Sequence, residues 1–518
     1  MSALVCFFSC KRSNPSWDVD VLAPLVRSTL TINNLLPDSL IHENPDNSLD
    51  IVYSTSLSSF STKNIFTLPD YAFDTSYKAP VAAALLGGSA IANTSVQNVG
   101  ALAGSVELSQ GTMLSGNMVL SLTSSIKGKL DFVFKVPSLT NPSGNQFQTN
   151  VTIPSGNATS QGTYLGIFDM SGYKVDFTGP NGTAVNTLMV NYAILIDASE
   201  DTVHIAPGDS VSISYSFIDL IPAYARGYFG DTITTASDSS GFALFKHLAA
   251  GTLNFESIDV NLSIENGVGA DARITMNQLV SSNSKTGNKI ALTHNIMGSP
   301  VNITRSQDNA GTVIPSTYSI ALTSTNSNIK QFVENLPDSL KFKLKYEINP
   351  LGNVSGSNDF GYHDRLLNSK LNMRIPLSAV ANDLTLADTL DFSLPADADN
   401  INGGTLYLHA DNGFPFTAEA QLYILDDQLQ ITDSLIAQSN VLLSPPLTAN
   451  FISMGTAKTV LSIPLNPEKL DALRATKKML VKVKFNTSGQ PNYVKIYSSY
   501  KMDVKVIADL NYHTGKSK

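Results

Sequence analysis

The chain has 518 residues, a length that at roughly 100 to 200 residues per domain calls for several domains with room for buried cores. Only 15% of residues are charged, the net charge is −9 and 42% are apolar, which excludes a disordered polyelectrolyte, a basic nucleic-acid binder and a polytopic membrane protein. Two Cys and seven His supply neither a disulfide framework nor a thiolate zinc cage.

Residues 1–20 read as a signal-like segment and tether. An apolar run ends in Phe8-Ser9-Cys10 and gives way at once to Lys11-Arg12. A small residue before Cys at the end of a short apolar stretch is the pattern of a bacterial lipoprotein signal. Acyl chains on Cys10 would replace the removed segment as the membrane anchor. Cys6 would leave with the signal.

Residues 21–104 form an N-terminal β region with strand-like Leu30-Thr-Ile32 and Asp50-Ile-Val-Tyr-Ser54. Its second part, Ala79 to Val106, carries no charge and is rich in Ala, Gly, Leu and Val. Pro80, Gly87-Gly88 and Asn93 break any membrane helix there. The segment reads as a small-residue stretch buried between domains.

Short alternating runs dominate the remainder, so the fold class is all-β, with tandem sandwich-like domains each carrying at most one short helix. Leu340, Phe342, Leu344, Tyr346 and Ile348 alternate with Lys341, Lys343, Lys345 and Glu347, the pattern of a half-buried antiparallel strand; Val211–Phe217 and Val481–Phe485 repeat it. Gly-Thr pairs at Gly111, Gly251 and Gly404 recur at domain-sized spacing. They define β units at 105–245, 246–395 and 396–518. Turns follow at Ser125–Gly128, Asn266–Gly269 and Asn412–Pro415. The second and third units then share a short helix behind Asn328 and Asn466, an alternating strand, and a closing strand, Lys370–Ile375 against Lys501–Val506.

The chain has no Gly-rich phosphate loop, His-Glu-x-x-His pair or Gly-x-Ser-x-Gly elbow. Asp397–Gly403 imitates a calcium loop, yet Ile401 and Leu408 occupy ligand positions, so it reads as a linker. His363-Asp364-Arg365 reads as a solvated turn. The carboxylate pairs Asp18/Asp20 and Asp426/Asp427 await a three-dimensional separation before they mean anything. Lys477, Lys478, Lys482 and Lys484 read as guards of an edge strand. No catalytic, cofactor or metal residue is expected.

With Phe8-Ser9-Cys10, Gly227-Tyr-Phe-Gly230, Asn412-Gly-Phe-Pro415 and Leu336-Pro-Asp-Ser-Leu340, the chain resembles large β-rich envelope lipoproteins of Bacteroidota. The resemblance implies an outer-membrane address with lipid anchoring and supplies no activity. Lys11 and Arg12 stand where surface-exported members carry acidic residues. The expectation is a non-enzymatic scaffold or accessory subunit of an envelope assembly, secretion or uptake complex. It would contact the membrane through acylated Cys10 and partner an outer-membrane protein. The alternative is a glycan- or lipid-binding surface lipoprotein.

Overall fold

The computed structural model describes residues 17–514 apart from 35, 37, 61–69, 100–104, 157–159, 246–247, 310, 366, 392–399 and 437–439. Cys6, Cys10, Lys11 and Arg12 lie outside the described residues. The protein is all-β, with two short α-helices among the described residues. No helix among them is long and apolar enough to cross a membrane.

The strands assort into three units with one topology. The first unit comprises Tyr71–Lys78, Ala90–Val99, Glu107–Ser124, Leu130–Thr140, Gln146–Ile153, Gly162–Asp169, Thr187–Ile196 and Ser210–Tyr228. Counted in chain order, these pair as 1-8-3-6 and 2-7-4-5. Two four-stranded antiparallel sheets in this order make a jelly roll. A short strand, Lys174–Asp176, pairs with both the third and fourth strands and stitches the sheets together.

The second unit repeats the order with Leu49–Phe60, Thr232–Gly241, Asp259–Asn266, Ala272–Ser282, Lys289–Ala291, Ser316–Leu322, Ser339–Ile348 and Leu367–Pro376. The third does so with Trp17–Leu30, Ser378–Asp391, Ile401–Asn412, Phe416–Leu425, Ile431–Ser434, Ala457–Leu465, Lys478–Thr487 and Met502–Thr514.

The rolls are therefore nested and not in tandem. The whole first roll lies between strands one and two of the second, and the first two rolls together lie between strands one and two of the third. Strands one and eight of a jelly roll are antiparallel neighbours. In the first roll Tyr71 faces Phe217 and Lys78 faces Ser210, so chain entry and exit lie on the same side and insertion disturbs the host little. The boundaries expected at 104/105, 245/246 and 395/396 consequently do not separate the sheets. Residues 17–30 belong with 378–514, 49–60 with 232–376, and 71–99 with 107–228.

Other expectations shift with this. Strands 339–348 and 478–487 are both seventh strands, but Val211–Phe217 lies in an eighth. Gly111 and Gly404 sit in third strands, whereas Gly251 sits in an extra strand, Leu248–Phe255, paired with 378–391. At Gly251, with φ +93°, a Cβ would lie 2.3 Å from the Asp383 carbonyl oxygen. Gly251 and Gly404 thus mark places where backbones approach, whereas a Cβ at Gly111 would lie 3.6 Å from the Tyr224 carbonyl oxygen.

The turns do correspond, each joining strand three to strand four. Asn266 and Asn412, both fully buried, make the same three bonds. Asn412 Nδ2 donates to Phe416 O (2.8 Å) and Leu443 O (2.9 Å), and its Oδ1 accepts from Phe414 N (2.9 Å). Asn266 donates to Ala270 O (3.0 Å) and Thr304 O (2.9 Å) and accepts from Val268 N (2.9 Å). In the first roll Ser124 Oγ accepts from Ile126 N (3.1 Å).

Both helices, Ile329–Glu334 and Pro467–Ala475, join strand six to strand seven. Asn466 caps the second by accepting from Lys469 N, with Pro467 in the first turn. Asn328 makes no such bond; its side chain accepts instead from Thr293 N.

The cores are partly separate. The first roll has a cluster around Phe132, Phe134 and Tyr215, although its Leu108 and Ala225 join the second roll's cluster. The second is filled by Phe332, Phe342, Leu344 and Tyr346, and its cluster runs on to Phe414, Ala418 and Met502 of the third. The other end of the third roll holds a separate small cluster around Ile424, Leu435, Leu470 and Leu473.

Candidate functional site

The polar candidates do not converge. His363, Asp364 and Arg365 form a turn in which Arg365 Nε lies 3.8 Å from the exposed Asp364 carboxylate. Asp18 contacts His513 Nδ1 at 2.9 Å and Asp20 accepts from Asn511, side by side across strands one and eight of the third roll. Asp426 receives the backbone N–H groups of Gln428 and Gln430 in a turn, while Asp427 faces Lys477. Residues 397–399 of the calcium-like segment fall outside the described residues, and Ile401 onward is strand.

The Lys-rich strand 478–487 is not an edge. It lies between 378–391 and 416–425, with Lys478 beside Asp391, Lys484 beside Asp383 and Glu419, and Lys482 over the Tyr423 ring. Its lysines stand on the outward face of a central strand. The small-residue segment is likewise not buried between domains: 83–86 and 90–96 hold only half-buried and exposed positions, and 90–99 is an edge strand of the first roll.

Two features stand out instead. The first is an apolar cavity of about 310 Å³ between the two sheets of the third roll, walled by Leu408, Phe416, Ala420, Leu422, Val481 and Val483 among others. A smaller one of about 90 Å³ shares Leu386, Phe416 and Phe485 with it and reaches the Leu244–Leu253 segment of the second roll.

The shared Asn turn and strand registers allow the third roll to be compared with the second position by position. Facing strands four and seven, Ile274 pairs with Tyr346 and Met276 with Leu344 in the second roll. Ala420 with Val483 and Leu422 with Val481 take those places in the third. The first pair loses a phenol ring and most of an isoleucine side chain. The four second-roll side chains are at most 2% exposed, whereas all four third-roll counterparts are only half-buried. The smaller side chains of the third roll thus leave room at positions that the second roll fills. An enclosed dry space costs about 24 cal/mol per Å³, so for about 310 Å³ that opens in part to solvent, on the order of 7 kcal/mol is an upper bound.

The second feature is the sixth strand of the first roll, Gly162–Asp169. It pairs with 107–124 on one side and with no other strand among the described residues. Leu165 and Ile167 are 67% and 66% exposed on it. The strand carries no Lys, Arg or Pro, while the sixth strand of the third roll has Lys458 and Pro464. A long edge without such guards is a template for another strand.

No family model matches the sequence, and no curated protein matches it. Among solved structures the chain is similar to one described as a "putative secreted protein" from Parabacteroides distasonis, at 10% identity and TM-score 0.25 over 96% of this chain and 99% of that one. It is also similar to one described as the triple jelly roll fold and turret assembly in an archaeal virus, at 11% identity and TM-score 0.12 over 85% and 91%. Neither likeness is close enough to bear on function.

Proposed function

We propose that the chain is a non-enzymatic scaffold or accessory subunit of a bacterial outer-membrane assembly, secretion or uptake complex, held to the membrane by an acylated Cys10. The observation that carries the docking part is the unguarded edge strand 162–169 with Leu165 and Ile167 exposed. An extended segment of an outer-membrane protein would add to it as a further strand, with main-chain bonds giving affinity and the two apolar side chains giving register. The anchor enters through Trp17–Leu30, a strand of the third roll, so tether and docking edge belong to different rolls.

The test is extraction of the full chain from its native membrane in mild detergent, with mass spectrometry of Cys10 and of whatever co-purifies. An acylated Cys10 with a stoichiometric membrane partner is expected, and the Leu165→Lys/Ile167→Lys variant should lose the partner while keeping the acyl group. A purely monomeric native particle would overturn the reading. A second reading, lipid binding, draws on the open interior of the third roll.

A further inference from the structure

We infer that the interior of the third roll is a binding site for a single unbranched acyl chain of about twelve carbons. Three rolls share one topology, and two of them fill the space between their sheets with aromatic side chains: Phe132, Phe134 and Tyr215 in the first, Phe332 and Tyr346 in the second. The third has Phe414, Phe416 and Phe485 in the wall of that space, but leaves it open where Ala420, Leu422, Val481 and Val483 line it. The core of this roll is correspondingly split, with the Leu470–Leu473 cluster at one end and Phe414, Ala418 and Met502 at the other.

The ligand class follows from the wall. Apart from Thr31, the lining side chains among the described residues are hydrocarbon or thioether, so none of them satisfies a sugar, a phosphate or an ion, and a polar occupant would lose its hydrogen bonds on entry. The size follows from the volume. An apolar cavity of about 150 Å³ accommodates benzene, and one of about 310 Å³ accommodates roughly twice as many carbons. A sheet-to-sheet gap about 10 Å wide favours a slender chain over a ring system. Leu30, 38% exposed, and Thr31 line the side where strand one ends, which places a polar head group there.

Trp17 pairs with Thr514 and Leu30 with Met502, so at about 3.3 Å per residue strand one holds Trp17 roughly 40 Å from that mouth. The occupant is taken to be a separate molecule, either a free fatty acid or a membrane lipid.

The experiment is calorimetric titration of the delipidated full-length protein with dodecanoate and, separately, with phosphatidylethanolamine vesicles. The Ala420→Ile/Val483→Tyr variant, which restores the second roll's residues, and the milder Ala420→Ile are tested alongside. One dodecanoate per chain is expected, weaker binding for hexanoate, and at least tenfold weaker dodecanoate binding by the double variant with its circular dichroism unchanged. Binding of dodecanoate identifies a free acid as sufficient; saturable uptake only from vesicles identifies a lipid as the source. Absence of saturable binding from either source would overturn the inference, as would affinity unchanged in a folded Ala420→Ile or double variant.

Discussion

Asn412→Ala tests whether the rolls are equivalent in energy as well as in topology. In the wild type one buried side chain serves three backbone groups, Phe414 N, Phe416 O and Leu443 O, at 2.8 to 2.9 Å. At a net contribution of about 1 kcal/mol per hydrogen bond, their loss costs ~3 kcal/mol, since alanine leaves all three without that partner in a buried turn. Asn266→Ala removes the same set in the second roll and should cost the same. Ser124→Ala, which removes a single acceptor for Ile126 N, should cost about 1 kcal/mol. The assay is urea unfolding of the full chain followed by hydrogen exchange with mass spectrometry, reading 401–425, 259–282 and 107–140 separately, because a three-roll chain is not a two-state system. Equal costs for all three substitutions, or a cost below 1 kcal/mol for Asn412→Ala, would refute the reasoning.

Two further outcomes follow from the same structure. The Phe132 cluster of the first roll is made only of its own residues, while Leu108 and Ala225 join the second roll's cluster and Tyr224–Gly227 pairs with Asp359–Tyr362. Residues 70–230 expressed alone, and the remaining chain with a flexible linker joining Phe60 to Asp231, should each still give a folded exchange profile; an unfolded host would show that the insertion is structural and not modular. Burial holds the Glu334 carboxyl above its ordinary 4.5, against the opposing effects of Phe255 N and Lys330. The folded state therefore holds that proton more tightly than the unfolded one, and the carboxylate costs stability as pH rises through the folded value but nothing below 4.5. Glu334→Gln should gain relative to wild type as melting is followed from pH 4 to 7, and a constant difference would contradict the assignment.

The local features of the fold were legible in the sequence where one residue fixes one geometry. The Leu340–Ile348 alternation gives a strand whose apolar face is fully buried. Asn466-Pro467-Glu468 opens a helix, and Asn266 and Asn412 each close a strand-three turn. What local patterns do not encode is which distant strand completes a sheet. The pairing of Trp17 with Thr514 leaves no mark in either segment, and sequential grouping into 105–245, 246–395 and 396–518 was the natural result. Gly-Thr misled for a related reason. At Gly251 against Asp383 and at Gly404 against Asp509 it reports a backbone approach, and such approaches arise at any bulge or crossing.

The site was hidden differently. Ala418 and Ala420 are unremarkable inside an alternating strand, and period-two reasoning counts an alanine and an isoleucine alike as inward. The information appears only when Asn266 and Asn412 are superposed. Ile274 then falls on Ala420 and Tyr346 on Val483, and the third roll is missing side chains that its own sister supplies. The closing-strand comparison in the sequence stopped short of this because it set Lys370 against Lys501, whereas the Asn-anchored register sets Leu367 against Met502 and hence Lys370 against Lys505. A duplicated unit that keeps its hydrogen-bonding turn while shrinking its core has lost packing without losing fold. That combination is unfavourable for a roll that stands empty and favourable for one that is filled by a ligand, because binding then returns the burial that the smaller side chains gave up.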